Sequence, residues 1–293
     1  MRYAVIDIGS NTIRMVICTY EDGKVEISGN ERISSIILRC VKGGRLTLEG
    51  INFLIDSINH MKSRCGEVDD IFAFATASLR GIDNAADVCS VVAESTGVDI
   101  RLISGEEEAE YDFYSLCYLG KTEGRGMGLV LGGGSCQLFS FEDGILLAKE
   151  SMLIGSTRMH DRFVENNIPN PEEAREIYEY IYEEISRYKG FFGFDSIYAI
   201  GGSARCAVAL YNIVFEEKIY NEISADCLER LCRYLIENPA AAEEVLKANF
   251  ADRLQSLVPG MLTLLAICRW VGADKLVIAV CGVREGFIFK EIM

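Results

Sequence analysis

Ala4-Val5-Ile6-Asp7-Ile8-Gly9-Ser10-Asn11-Thr12-Ile13-Arg14 is the stretch on which the reading of this chain turns. Small and apolar residues run into an aspartate, and a Gly-Ser-Asn-Thr turn follows. Ile13-Arg14-Met15-Val16-Ile17-Cys18 then resumes a β-favouring run, which predicts a buried hairpin with a polar tip. A turn built on Gly9 with the hydroxyls of Ser10 and Thr12 can approach a phosphate and offer it N–H and O–H donors. Asp7, at the end of the strand, faces whatever the tip binds.

A second copy begins at Gly126. Met127 to Leu131 is an apolar strand, Gly132-Gly133-Gly134-Ser135 a glycine turn, and Cys136 to Phe141 a returning strand. Consecutive glycines are conformationally costly unless backbone must come close to something. A third turn, Gly201-Gly202-Ser203, follows the strand-like Ser196 to Ile200 and opens an Ala-rich helical run, a setting that favours an anion. The repeated hairpin predicts two duplicated halves facing each other across a cleft, with residues 1–124 in one domain, residues 125–293 in the other, and the charged, glycine-rich Lys121 to Gly126 as the linker.

Five segments carry a family resemblance: Asp7 to Arg14, Ser104-Gly105-Glu106-Glu107-Glu108-Ala109, Leu131 to Ser135, Ile154 to Met159, and Gly282-Val283-Arg284-Glu285-Gly286. In order and spacing they resemble the exopolyphosphatase and guanosine pentaphosphate phosphatase family. The resemblance implies an α/β fold, a duplicated two-domain architecture of the actin-like or ribonuclease H-like kind, in the short form that lacks an additional C-terminal helical domain. It implies a phosphoanhydride hydrolase in which Glu108, the glutamate directly before the alanine, deprotonates an attacking water. Asp7 would then hold Mg²⁺ through water. Gly9, Ser10, Asn11, Thr12, Arg14, Gly133, Gly134, Ser135, Gly202 and Ser203 would hold phosphate, as would Arg80 after the Thr76-Ala77-Ser78-Leu79 turn and Arg253 ahead of Pro259-Gly260. Glu106, Glu107 and Glu110 have a structural reading instead, complementing the helix dipole and closing a capping box on Ser104.

The chain also departs from the family pattern. Val130 stands where the second turn carries an aspartate, Cys136-Gln137 where threonine and glutamate follow the turn, and Ala279-Val280 where a Ser-Asp pair precedes the last motif. Valine binds no metal-bound water, and glutamine offers only a neutral carbonyl. A second hypothesis follows: a catalytically impaired, phosphate-ligand-binding regulatory protein that signals through hinge closure.

Composition bounds both hypotheses. A length of 293 residues with 49% hydrophobic content supports two domains with real cores. The sequence has no 18-residue apolar span and begins directly with a strand, so the expectation is a soluble cytoplasmic protein with no signal peptide and no membrane partner. Eleven cysteines scattered among apolar residues, with no Cys-x-x-Cys pair, fit a reducing cytosol. A formal charge of −15 excludes a nucleic-acid surface and favours a phosphorylated small molecule, or polyphosphate held in a local basic channel. Exposed helical faces of the second half could support a homodimer. Locally, Thr47 to Cys65 predicts an amphipathic helix capped by Thr47, Ser78 a helix N-cap, and Asn170-Pro171-Glu172-Glu173 a helix start. The stretch from Ser224 to Trp270 reads as wholly helical.

Overall fold

The computed structural model describes residues 1–293, which divide into two compact units. The first takes Met1–Tyr118 together with Val283–Met293, and the second takes Leu119–Gly282. The first crossing falls a few residues before the expected boundary at 124/125. The return of the last segment to the first unit is a difference from the sequence expectation, and its cause is packing, set out below.

In the first unit, β1 (Arg2–Ile8), β2 (Thr12–Glu21) and β3 (Lys24–Ser34) form an antiparallel meander. A small hairpin of β4 (Val41–Lys42) and β5 (Arg45–Leu46) leads into α1 (Leu48–Cys65). Then come β6 (Asp70–Ala75), α2 (Ala85–Thr96), β7 (Ile100–Leu102) and α3 (Gly105–Tyr118). The sheet order is β3-β2-β1-β6-β7, with β6 parallel to both β1 and β7.

Side chains alternate strictly across this sheet. Ala4, Ile6, Ile8, Ile13, Met15 and Ile17 face one core, which Leu54, Ile58 and Met61 of α1 and Val88 and Val92 of α2 complete. Val5, Val16, Cys18 and Phe74 face the other, completed by Tyr111 of α3 and by Phe287 and Ile288 near the C-terminus. Period two therefore turns Asp7 and Arg14, which are directly paired across the hairpin, to the face shared with Val5 and Val16.

In the second unit, β8 (Arg125–Leu131), β9 (Cys136–Glu142) and β10 (Ile145–Met152) repeat the meander. They are followed by α4 (Ser156–Phe163), α5 (Pro171–Ile185), β11 (Ser196–Ile200), α6 (Gly202–Phe215), β12 (Glu222–Ser224), α7 (Ala225–Glu237), α8 (Pro239–Asn249), α9 (Leu257–Val271) and β13 (Lys275–Ala279). The order β10-β9-β8-β11-β13-β12 repeats that of the first sheet through two parallel strands, then adds antiparallel β12 at its edge. Asn170 caps α5 with a reciprocal box to Glu173, and Ile177, Ile181 and Ile185 form its buried stripe. The Ser224–Trp270 stretch is three helices and a short 3-10 turn, broken by Asn238-Pro239 and by Phe250 to Ser256. The last element, α10 (Val283–Glu291), packs on α3 of the first unit. No helix is long and apolar enough to cross a membrane.

Two local expectations change. Ser78 caps no helix: Thr76 to Gly81 is a turn, and the Ser78 hydroxyl donates to the Ile8 carbonyl, tying that turn to the end of β1. The helix begins at Ala85, and Asn84 before it spends its side chain on both backbone groups of Leu46.

Candidate active site

The two hairpin tips close in the same way. The Gly9 N–H donates to the Thr12 carbonyl at 3.1 Å, and the Gly132 N–H to the Ser135 carbonyl at 3.0 Å. The duplication inferred from sequence is thus repeated at the level of a single hydrogen bond.

In the first unit, α3 begins with the expected reciprocal box. The Glu107 N–H donates to Ser104 Oγ at 3.1 Å, and the Ser104 N–H donates to Glu107 Oε2 at 2.8 Å. Glu107 also binds Arg101, Glu110 binds Lys290, and Glu106 is exposed, so these three acids are structural. Glu108 is the buried one. Arg80 Nη2 donates to its Oε2 at 3.0 Å while Nη1 donates to the Ile103 carbonyl at 3.3 Å, which fixes the guanidinium against the strand preceding α3. Burial pushes the Glu108 carboxyl up to about 7, the charge and hydrogen bond of Arg80 pull it down, and Asp7 raises it further. A carboxylate poised near neutrality suits a general base.

Asp7 meets Arg284 of α10, whose Nη1 lies 3.3 Å from Asp7 Oδ2, and Arg284 in turn reaches Glu285 at 3.7 Å. Burial raises the Asp7 carboxyl, opposed by the charges of Arg284 and Arg14. One Asp7 oxygen is thus committed to a guanidinium. No group of three or more His, Cys, Asp or Glu side chains is set to hold a metal ion. The residues present therefore do not build a cage for a resident Mg²⁺. A hard divalent cation of this size is commonly bound through one or two carboxylates plus substrate phosphates, keeping several waters.

In the second unit the carbonyls of the glycine turn are drawn back onto α4. The Ser156 N–H donates to Gly132 O, the Thr157 and Arg158 N–H groups to Gly133 O, and Arg158 Nε to Gly134 O, at 2.9 to 3.2 Å. Arg158 thus anchors the turn. Gly155 permits the approach: a Cβ there would stand 2.4 Å from Gly133 O, Gly134 C and Ser135 N, all backbone atoms that cannot swing away. Gln137, which faces Val130 across the hairpin, is buried and donates its amide to Ser135 Oγ at 2.8 Å and to Ser151 Oγ at 3.0 Å. Val130 and Gln137 occupy the places that Asp7 and Arg14 hold in the first unit, so the charged pair of one hairpin is a neutral pair in the other. Val280 is 72% exposed.

The third turn opens α6, and Arg253 lies on it. Its guanidinium fills the place where a Gly202 Cβ would stand, 2.3 Å from Nη2. Arg253 therefore belongs with Gly202 and Ser203, as expected. Sequence reading missed Asp112, buried one turn beyond Glu108, and left Arg284 as a structural pair with Glu285, whereas its closer partner is Asp7. The four-residue spacing from Glu108 was the available signal for Asp112.

The model of the Ppx/GppA phosphatase family matches residues 17–293. Exopolyphosphatase 1 of Mycobacterium tuberculosis is 24% identical over 314 aligned positions covering all of this chain and 88% of that protein. The guanosine-5'-triphosphate,3'-diphosphate pyrophosphatase of Vibrio parahaemolyticus is 23% identical, and the alignment covers 99% of this chain but 59% of the larger enzyme. Among solved structures, the Aquifex aeolicus Ppx/GppA family member superposes with a TM-score of 0.81 at 24% identity, covering 100% of this chain and 97% of that one. An exopolyphosphatase from Cytophaga hutchinsonii superposes with a TM-score of 0.83 at 18% identity, covering 99% and 97%. These structural likenesses show a shared fold.

Proposed function

The chain belongs to the Ppx/GppA phosphatase family, and on that premise we propose that it is a phosphoanhydride hydrolase releasing terminal phosphate from inorganic polyphosphate or guanosine pentaphosphate. The observation that carries this reading is Glu108, buried, held by Arg80 and poised at about 7. As a water oxygen attacks the terminal phosphorus, Glu108 takes the water's proton. The bridging P–O bond breaks, and its electron pair leaves with the shortened chain. Positioned donors supply the rest. In the first unit these are Gly9, Ser10, Asn11, Thr12, Arg14 and Arg80. In the second they are Gly133, Gly134, Ser135, Gly202, Ser203 and Arg253. Mg²⁺ enters, on this reading, coordinated to the phosphate oxygens, where it offsets their charge. All eleven cysteines are free thiols, which supports a reducing, cytoplasmic setting.

The test is phosphate release from polyphosphate and from guanosine pentaphosphate, each with and without Mg²⁺. Turnover of at least one is expected. Absence of release from both, with binding intact, supports the regulatory alternative instead, which the neutral Val130–Gln137 pair favours.

A second expected result concerns Arg80. Its charge and its hydrogen bond both lower the Glu108 carboxyl, so Arg80→Met removes two stabilisers of the ionised base. The acid limb of kcat/KM should move to higher pH by about one unit or more, so that the loss is largest below neutrality and shrinks in alkaline buffer. A limb that stays put or moves down would remove Arg80 from the tuning of Glu108.

A further inference from the structure

Asp112 lies on α3 four residues beyond Glu108, so the two share a helical face. It is 1% exposed, and neither of its carboxylate oxygens has a hydrogen-bond partner. The charged groups facing it are Glu108 on its own helix, Asp7 from β1, and Arg284 and Glu285 from α10. Asp7 Oδ1, Glu285 Oε2 and Arg284 Nε are likewise buried and unpartnered. With every carboxylate ionised, the facing oxygens are acceptors only, and a buried acceptor without a donor costs about 1–3 kcal/mol. One proton would turn an acceptor into the missing donor.

Charge balance assigns that proton. Burial, reinforced by the charges of Glu108, Asp7 and Glu285, pushes the Asp112 carboxyl well above the ordinary range, and Arg284 opposes this. With Asp112 neutral, the carboxylates of Asp7, Glu108 and Glu285 are matched by the guanidiniums of Arg14, Arg80 and Arg284. An ionised Asp112 would add a negative charge with no counter-ion. Its neighbours Ala109, Tyr111, Phe113 and Leu116 are buried and largely apolar, so packing alone would favour leucine at this position.

We propose that Asp112 is a positioning residue for the general base, a carboxylic acid kept protonated behind Glu108 whose O–H donates to the carboxylates facing it and keeps Glu108 in place on Arg80. The proposal rests on the reading of Glu108 as base. It leaves Glu108 as the group of this cluster that titrates near neutrality, and it makes Asp112 a residue retained at a cost in stability.

The test compares Asp112→Asn and Asp112→Leu in the full chain, by melting temperature, by phosphate release across pH, and by infrared spectroscopy. The folded carboxyl sits above its unfolded value, so the unfolded chain loses a proton that the fold keeps. The cost begins above the ordinary carboxylate range and grows with pH until folded Asp112 itself ionises. Both variants should therefore melt at least as high as the wild type, with the larger gain in alkaline buffer. Asn retains an N–H donor and should keep kcat within about threefold and leave the pH midpoint in place. Leu should lower kcat by about 10- to 100-fold with KM little changed, and should displace the midpoint. A carbonyl band of a protonated carboxyl group, present in alkaline buffer, should vanish in Asp112→Asn.

Unchanged kcat and midpoint in the Leu variant would overturn the proposal. So would an Asn variant as impaired as Leu, lower melting temperatures in both variants, or absence of the band. Failure of the base reading is separate: it would show as activity surviving in Glu108→Gln, which the infrared and melting readouts on Asp112 do not depend on.

Discussion

Glu108→Gln is expected to lower phosphate release by roughly 10²- to 10⁴-fold while leaving substrate affinity within a few-fold. Glutamine keeps the size of the side chain and can still receive the Arg80 hydrogen bond through its carbonyl, so the α3 start and the Arg80 anchor to Ile103 should persist. What is lost is the basic oxygen. The wild-type rate should rise with pH through about 7, because the base works only when ionised and burial places its carboxyl there. In the glutamine variant that limb should disappear along with the activity. Steady-state rates over a pH series, with affinity measured separately by calorimetry, check both parts. A variant that still turns over at near wild-type rate and keeps the limb would assign the titration, and the proton transfer, to another group.

Gly286→Ala is expected to be the most destabilising single-methyl change in the first unit. A Cβ there would stand 1.7 Å from the Tyr111 carbonyl oxygen and 2.5 Å from its carbon, in the contact between α10 and α3. The obstacle is helix backbone, which cannot turn aside as a side chain would, so the cost should exceed the ~1–3 kcal/mol usual for overpacking. For a unit of this size the melting temperature should fall by on the order of 10 °C. Arg284 rides on α10 two residues earlier, so the Asp7 contact should loosen as well, and activity should fall before the unit melts. Thermal melts read by circular dichroism decide it, and a shift of only one or two degrees would show that the two helices are not held as tightly as their spacing implies.

Much of the fold and of the candidate site is legible in the amino-acid sequence, for identifiable reasons. The alternation Ala4 to Ile8 and Ile13 to Cys18 decides which side chains share a face, and so places Asp7 with Arg14. The second glycine turn exposes the duplication because its spacing from the preceding strand repeats that of the first. Ser104 and Glu107 show where α3 starts, since capping is local. Other features are not legible. Arg284 reaches Asp7 across 277 residues of sequence, and Arg253 lies on Gly202 from a 3-10 turn with no periodicity. Nothing local marks such pairs. Glu108 is separated from Glu106, Glu107 and Glu110 by family resemblance, and the physical distinction is burial, which a run of acids in a helix start does not reveal.

The passage of residues 283–293 back to the first unit also bears on biosynthesis. A ribosome emitting this chain delivers Asp7, Arg14, Arg80 and Glu108 long before Arg284, and Phe287 and Ile288, which seal the core around Val5 and Phe74, come later still. Until they emerge, the sheet face beneath α3 stays open and Asp7 lacks its guanidinium. Translation halted anywhere upstream should therefore yield a nascent protein with no working centre, and the whole second unit must be made before the first can close.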